Sequence, residues 1–282
     1  MTRAVRFNLV DVFTDVAFAG NQLGVFTDSR GLSGEQMQTL AAELGFSECT
    51  FVLPPEAGGD ARIRIFTPVR ELAFAGHPVL GTAYVLGGPM QLGQVVIETG
   101  AGLVPVVLER DGATIVFGRM MQPVPTWRPF EREIELLAAL GVDRSELPVE
   151  IYDNGMEHVY VALPSAEAVA VLRADFAALG EVTDAGANCF FADGALVKTR
   201  MFAPVDGVPE DPATGSAAGP LAVHLARHGM IGWGERIRIS QGAEIRRPST
   251  LFATALGSNG DGVTAVEVGG SAVVVGRGEI AV

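Results

Sequence analysis

The feature that most constrains this chain is a repeat: short motifs of the first half recur in the second half, in the same order. Val12-Phe13 is echoed by Ile151-Tyr152, and Glu48-Cys49-Thr50-Phe51 by Asn188-Cys189-Phe190-Phe191. Arg64-Ile65-Phe66-Thr67-Pro68 is echoed by Arg200-Met201-Phe202-Ala203-Pro204, and Ala75-Gly76-His77 by Thr214-Gly215-Ser216. The separation is roughly 140 residues, far beyond the period of a solenoid. A duplication on this scale predicts two homologous lobes facing a cleft, rather than one large domain with coincidental strand motifs. A length of 282 residues suits two medium domains.

Periodicity fills both lobes with hairpins and a few helices. Alternation predicts strands over residues 5–13, 23–26, 48–53, 62–66, 94–99, 104–109 and 113–118. A second set follows at 149–152, 158–163, 195–202, 236–240, 246–254, 262–268 and 271–280. Helical spacing appears over 34–44, where Ser33 is placed to cap, and over 77–86, 130–140, 166–179 and 216–228. The proline-rich residues 120–128 read as a linker. The pattern is α+β: mostly antiparallel strands with one long central helix per lobe.

Charge narrows the function. With 33 acidic against 20 basic residues the formal net charge is −13, which argues against nucleic acid and against an anionic membrane surface. No apolar run is long enough to span a bilayer. The start of the chain runs from Arg3 and Arg6 directly into a strand, without the pattern of a signal peptide. Two cysteines, Cys49 and Cys189, make no disulfide framework, so the expectation is a reducing cytoplasm.

The chemistry concentrates in two loops that each run into an apolar helix: Ala73-Phe74-Ala75-Gly76-His77-Pro78 and Val208-Pro209-Glu210-Asp211-Pro212-Ala213-Thr214-Gly215-Ser216. Helices that begin with small residues expose their first N–H groups, and the dipole behind those groups favours an anion. Two such loops in one duplicated chain predict two helix N-termini facing a small carboxylate. Glu48 lies in an otherwise apolar strand, and desolvation there would raise its pKa toward the range of a general acid/base. Alternation sets Glu48 and Thr50 on one face and Cys49 and Phe51 on the other, which sends Cys49 into the core. His77, Asp211 and Ser216 taken singly read as capping or turn residues; it is their convergence on the paired loops that marks them. A Ser216/His77/Asp211 triad is conceivable on paper. His158, His224 and His228 lack ligand spacing. No G-x-G-x-x-G, Walker loop, C-x-x-C or G-x-S-x-G elbow occurs.

At these motifs the chain resembles the PhzF family, the phenazine-biosynthesis isomerase and its relatives, which share the diaminopimelate epimerase fold. The resemblance is carried by residues 10–26 (VDVFTDVAFAGNQLGVF), 45–55 (GFSECTFVLPP), 63–83 (IRIFTPVRELAFAGHPVLGTA), 200–222 (RMFAPVDGVPEDPATGSAAGPLA) and 268–280 (VGGSAVVVGRGEI). It implies two pseudo-symmetric lobes, each a barrel-like sheet around a central helix, with the last strand returning to the first lobe. The lobes would comprise residues 1–118 plus 271–282 and residues 119–270. It further implies a cofactor-free, metal-free site in the cleft and a homodimer. Matched residue by residue, the family's catalytic glutamate falls on Glu48. Its substrate contacts fall on His77, Asp211 and Ser216, with backbone amides near Gly76 and Gly215. The family's G-N-P turn reads Gly20-Asn21-Gln22 here, and its usual threonine after the glutamate is Cys49.

The epimerase relatives carry a cysteine in each cleft loop, where this chain has Ala75 and Thr214. Inverting a stereocentre needs two bases on opposite faces. A single carboxyl group instead suits moving a proton between carbons of a conjugated ring. The expectation is therefore an isomerase acting through Glu48 on a small carboxylated, cyclic, unsaturated substrate. The competing expectations are a non-catalytic small-molecule binder using the same cleft and a hydrolase using Ser216.

Overall fold

The computed structural model describes residues 4–282; Arg3, read above as part of the approach to the first strand, lies outside them. The first half runs β1 (Ala4–Val12), β2 (Asn21–Phe26), α1 (Gly34–Leu44), β3 (Glu48–Leu53), β4 (Ala61–Phe66), β5 (Glu71–Leu72) and α2 (Gly76–Met90). It continues through β6 (Gln94–Thr99), β7 (Gly102–Asp111), β8 (Thr114–Gln122) and β9 (Thr126–Pro129). The second half runs α3 (Glu133–Leu140), β10 (Glu150–Asp153), β11 (Glu157–Ala162), α4 (Ala166–Ala170), α5 (Phe176–Val182), β12 (Gly186–Asp193) and β13 (Leu196–Ala203). Then come β14 (Val208–Asp211), α6 (Gly215–Arg227), β15 (Arg236–Gln241), β16 (Ser249–Ser258), β17 (Gly262–Gly270) and β18 (Ala272–Ala281).

One pairing plan is used twice. In the first half β1 pairs antiparallel with β2, β2 parallel with β3, β3 antiparallel with β4 and β4 parallel with β6, with β6–β7–β8 antiparallel. The second half repeats this order and these directions through β10, β11, β12, β13, β15, β16 and β17. The halves join antiparallel along β8 and β17, while β9 crosses to pair with β10 and β18 crosses to pair with β1. Each curled sheet wraps one helix, α2 in the first half and α6 in the second. Both helices are apolar on nearly every face, so they are stable only inside a core; every residue from Gly215 to Ala226 is buried. The α+β architecture expected from the sequence, two barrel-like sheets each around a central helix, is the architecture found.

Several local expectations need correction. Residues 120–128 are not a linker: β8 continues to Gln122 with Met120 and Gln122 buried, and β9 starts at Thr126. Pro123 and Pro125 mark only the gap between two strands. The helix expected over 166–179 is two short ones, because Asp175 caps α5 by accepting from the amides of Ala177 and Ala178. Helix α3 starts at Glu133 rather than residue 130, since the Phe130 amide is held by the Val149 carbonyl. Alternation passes over β12 because its first five residues are all buried.

The repeat itself is offset by two residues at one motif. The ion pairs Arg64–Glu71 and Arg200–Glu210 are equivalent, and each arginine stacks at 5.0 Å over its own neighbour, Phe66 or Phe202. From those anchors, Thr50 faces Ile65 and Asn188 faces Met201. Thr50 therefore corresponds to Asn188, and Glu48 corresponds to Gly186 rather than to Asn188. Cys49 and Cys189 are not equivalent positions; they lie in separate satellite cores.

Candidate active site

Helices α2 and α6 meet head to head at their N-termini. A Cβ on Gly76 would stand 2.5 Å from the Gly215 carbonyl carbon and from the Ser216 nitrogen, so only glycine allows the approach. Neither N-cap residue, Ala75 or Thr214, caps its helix with a side chain. In α2, Pro78 has no N–H to offer, which leaves the amides of Gly76 and His77 at the tip. In α6 the amides of Ala217 and Ala218 bond the Thr214 carbonyl, which leaves those of Gly215 and Ser216. Phe13 backs this junction: its ring lies under Gly215, and its φ of 64° is held by backbone bonds to Ser271 and Thr250.

The two tips border a cavity of about 20 Å³, room for roughly one water molecule. Glu48, His77, His158, Asp206, Asp211, Thr214 and Ser216 are among its walls, and no lysine or arginine among the described residues is. All the residues singled out in the sequence, Glu48, Gly76, His77, Asp211, Gly215 and Ser216, therefore lie on one small space. Glu48, the first residue of β3, is 14% exposed through its side chain, and its Oε2 lies 3.4 Å from His77 Nε2. Neither atom has an aligned hydrogen-bond partner among the described residues.

The Ser216/His77/Asp211 triad does not form. Ser216 Oγ sits 3.0 Å from His158 Nε2 instead. Asp211 accepts from the Thr214 hydroxyl at 2.6 Å and from Asn21 Nδ2 at 2.8 Å. Asn21 Nδ2 also donates to the Ala213 carbonyl at 3.0 Å and lies 3.2 Å from His77 Nδ1. Gln241 bridges the Asp211 carbonyl and the Thr214 hydroxyl, each at 2.9 Å, and Gln122 donates to the Gly215 carbonyl at 2.8 Å. Asn21, His158, Gln122 and Gln241 escaped sequence reasoning. Asn21 was legible only as a turn residue, and nothing local distinguishes the other three from surface polar residues.

A family model described as phenazine biosynthesis-like protein, PhzC-PhzF, matches residues 10–278. The chain belongs to the PhzC-PhzF family. It is 50% identical over 273 residues to the trans-2,3-dihydro-3-hydroxyanthranilate isomerase of Pseudomonas aeruginosa, covering 97% of this chain and 98% of that one. Identity to the Pseudomonas fluorescens protein of the same name is also 50%, over 96% of this chain and 98% of that one. A PhzF-family phenazine biosynthesis protein of Bacillus anthracis superposes with a TM-score of 0.84 at 25% identity over 99% of both chains. A hydroxyproline epimerase from Agrobacterium vitis, at 14% identity and a TM-score of 0.68 over 99% of this chain and 91% of that one, shares the fold alone. This PhzC-PhzF protein is an isomerase.

Burial sets the protonation of the PhzC-PhzF site. The pKa of Glu48 is raised well above 4.5, first by desolvation and then by the neighbouring charges of Asp211 and Asp206. Burial lowers His77 to about 3 against a hydrogen bond with the Gln22 backbone, and lowers His158 to about 3. Asp211 is raised by burial, against the donors Thr214, Ser47 and Asn21. The two cysteines, each pushed up to about 12 by burial, are inert thiols.

These shifts fix how stability varies with pH. Folded His77 and His158 bind fewer protons than the unfolded chain below 6.5, so their contribution is complete above that value and is lost as pH falls toward about 3. Glu48 and Asp211 act oppositely: the folded chain keeps protons that the unfolded chain has released, so their contribution is lost as pH rises. These opposed terms partly cancel between pH 6.5 and about 4.5, although His224, also lowered by burial, adds to the acid loss there; the lowered Glu98 and Glu150 steepen the loss below that range. Urea unfolding at pH 7, 5.5 and 4 checks this. His158→Gln should remove about 1.4 kcal/mol per pH unit from the acid slope.

One cluster outside the cavity has metal-ligand composition. Glu150, His224 and His228 bring ligand atoms within 4.8 Å of one another, although the spacing of the two histidines suggests no site by itself. Arg227 donates to the same Glu150 Oε2 at 2.7 Å, beside His228 Nε2 at 3.0 Å. Burial opposes ionisation of Glu150, but bonds from His224, Arg227 and His228 outweigh it and hold its pKa below the usual range. The charge of the carboxylate is thus already matched by protein donors. Lys198, the single lysine, is paired with Glu244 at 2.6 Å. Among the described residues no helix is long and apolar enough to cross a membrane.

Proposed function

We propose that this isomerase acts in phenazine biosynthesis. It moves a proton between ring carbons of a small carboxylated, cyclic, unsaturated substrate of the trans-2,3-dihydro-3-hydroxyanthranilate type, the substrate named for its 50%-identical relatives. Glu48 is the single acid/base. The observation that carries this reading is the asymmetry of the cavity. A carboxyl group with a raised pKa projects from β3 on one side, and its counterpart on the other side is Gly186.

Glu48 Oε takes a proton from one ring carbon, and the C–H electrons enter the conjugated system. The same oxygen returns the proton to a second carbon on that face of the ring. No electrons are gained or lost, so the step calls for no cofactor. The free amides at Gly76, His77, Gly215 and Ser216 hold the substrate carboxylate or the charge that develops on it, with no cationic side chain required. His77 and Asp211 orient the polar substituents. A substituted six-membered ring exceeds the cavity volume, so the two lobes open to admit substrate, and their closure around it then excludes water. The expected homodimer is checked by sedimentation equilibrium. The two buried, unbridged cysteines accord with a cytoplasmic location.

Proton NMR of trans-2,3-dihydro-3-hydroxyanthranilate in D2O tests the activity. Shifted ring double bonds, with or without deuterium at the receiving carbon, support it. Tight binding of that compound and of related cyclic unsaturated amino acids, without turnover of any, would instead favour the binding-protein reading.

A further inference from the structure

The pseudo-symmetry exposes a substitution that the duplicated sequence conceals. In the first half, Leu23 of β2 lies beside Glu48 of β3. The equivalent pair in the second half is His158 of β11 beside Gly186 of β12. A Cβ on Gly186 would stand 2.8 Å from His158 Nδ1, so the imidazole occupies the room that a side chain from β12 would need. Each half thus sends one polar side chain from this strand pair toward its helix tip: Glu48 toward His77, and His158 toward Ser216.

We propose that His158 is a positioning residue that fixes the Ser216 hydroxyl as a hydrogen-bond donor aimed into the cavity, opposite the Glu48 carboxyl group. The inference rests on the isomerase reading above and deepens it. A neutral imidazole carries one N–H. Among the described residues His158 Nδ1 is buried with no hydrogen-bond partner, whereas Nε2 is 3.0 Å from Ser216 Oγ. A buried N–H with no acceptor is rarer and costlier than a bare lone pair, so the proton belongs on Nε2 and is donated to Ser216 Oγ. Among the described residues Ser216 Oγ has no other hydrogen-bond partner, while its carbonyl is held by Asn154 Nδ2 at 2.9 Å. The hydroxyl hydrogen is then left for an acceptor oxygen on the ligand. Burial keeps His158 neutral, which holds this polarity across ordinary pH.

The opposite tautomer would make Ser216 the donor to His158 and turn it into an activated nucleophile. That arrangement needs an acceptor for Nδ1–H, as the aspartate supplies in a serine hydrolase triad, and no such acceptor faces Nδ1. The same geometry that makes Ser216 a clamp denies it the chemistry of a hydrolase.

The first test needs no substrate. Long-range 1H–15N correlation on the free protein should report His158 as the Nε2–H tautomer at pH 7; the Nδ1–H form would overturn the proposal. The second test measures binding of 3-hydroxyanthranilate, with KM and kcat for the dihydro substrate, in His158→Gln, His158→Phe, Ser216→Ala and the double variant His158→Phe/Ser216→Ala. Glutamine can place an N–H where Nε2 stood, so it should stay within about threefold of wild type. Phenylalanine keeps the shape without the donor, and should weaken binding and raise KM about 10- to 100-fold, with a smaller effect on kcat. The double variant should match Ser216→Ala alone. Multiplying effects, or wild-type binding in His158→Phe, would overturn the proposal. If wild type turns over no compound yet the tautomer and binding results hold, the isomerase reading fails and the role of His158 stands.

Discussion

Glu48→Gln is expected to lower kcat by about 10²- to 10⁴-fold while ligand affinity changes by less than about threefold. Glutamine matches glutamate in shape and keeps a polar terminus 14% exposed at the cavity wall, but it can neither take nor return a proton. The cavity offers no replacement. Cys49 points into a separate core, the equivalent position on the other side is Gly186, Asp211 is already held by Asn21 and Thr214, and Asp206 is paired with Arg70. Stability should move the other way. Ionising a desolvated carboxyl group with a raised pKa costs the folded state increasingly as pH rises. Glutamine does not titrate, so the variant should gain stability relative to wild type as pH rises above 4.5, a trade common where a site is built from buried charge. Single-turnover kinetics and urea unfolding between pH 4.5 and 9 read both effects. Retained turnover in Glu48→Gln would remove Glu48 from the mechanism.

Gly76→Ala is the second large effect, and its control lies on the same helix. At position 76 the new methyl group would meet the Gly215 carbonyl carbon and the Ser216 nitrogen at 2.5 Å. Both are backbone atoms of a buried helix end, so no rotamer change relieves the clash. Forcing the helix tips apart should cost about 1–3 kcal/mol of stability. It should also move the amides proposed to hold the substrate carboxylate, and a displacement near 1 Å can cost about 10²-fold in kcat/KM. At Gly88, on the same helix, an added Cβ meets nothing within 4 Å. Gly88→Ala should therefore stabilise by about 0.5–1 kcal/mol and leave kcat/KM unchanged. Thermal unfolding of the two variants should give shifts of opposite sign. A Gly76→Ala protein with wild-type stability and activity would mean that the helix tips are not in contact in solution.

Much of this architecture could be read from the chain alone because it rests on local chemistry. Amphipathic periodicity, the glycine breaks before α2 and α6 and the recurrence of Arg-x-Phe act over a few residues, so they predict the duplicated α+β fold and two exposed helix N-termini. The shared location of Glu48, Gly76, His77, Asp211, Gly215 and Ser216 on one cavity follows once the two loops are seen as copies. What stayed hidden depends on register and on distant partners. The proline signal around residue 123 is local and outweighed the weaker alternation of β8, which pairs across the pseudo-symmetry axis with β17. The echo of Cys49 in Cys189 looked exact in sequence, yet the strand pairings shift it by two residues.

The sequence by itself determined the fold, the duplication, the two loops and the candidate carboxyl group, Glu48. Only the tertiary structure decided which polar atoms meet. It paired Ser216 with His158 across 58 residues, and Asp211 with Asn21 across 190. Backbone conformation is governed by neighbours along the chain, whereas a buried hydrogen bond is chosen by whichever groups the folded core deprives of water together.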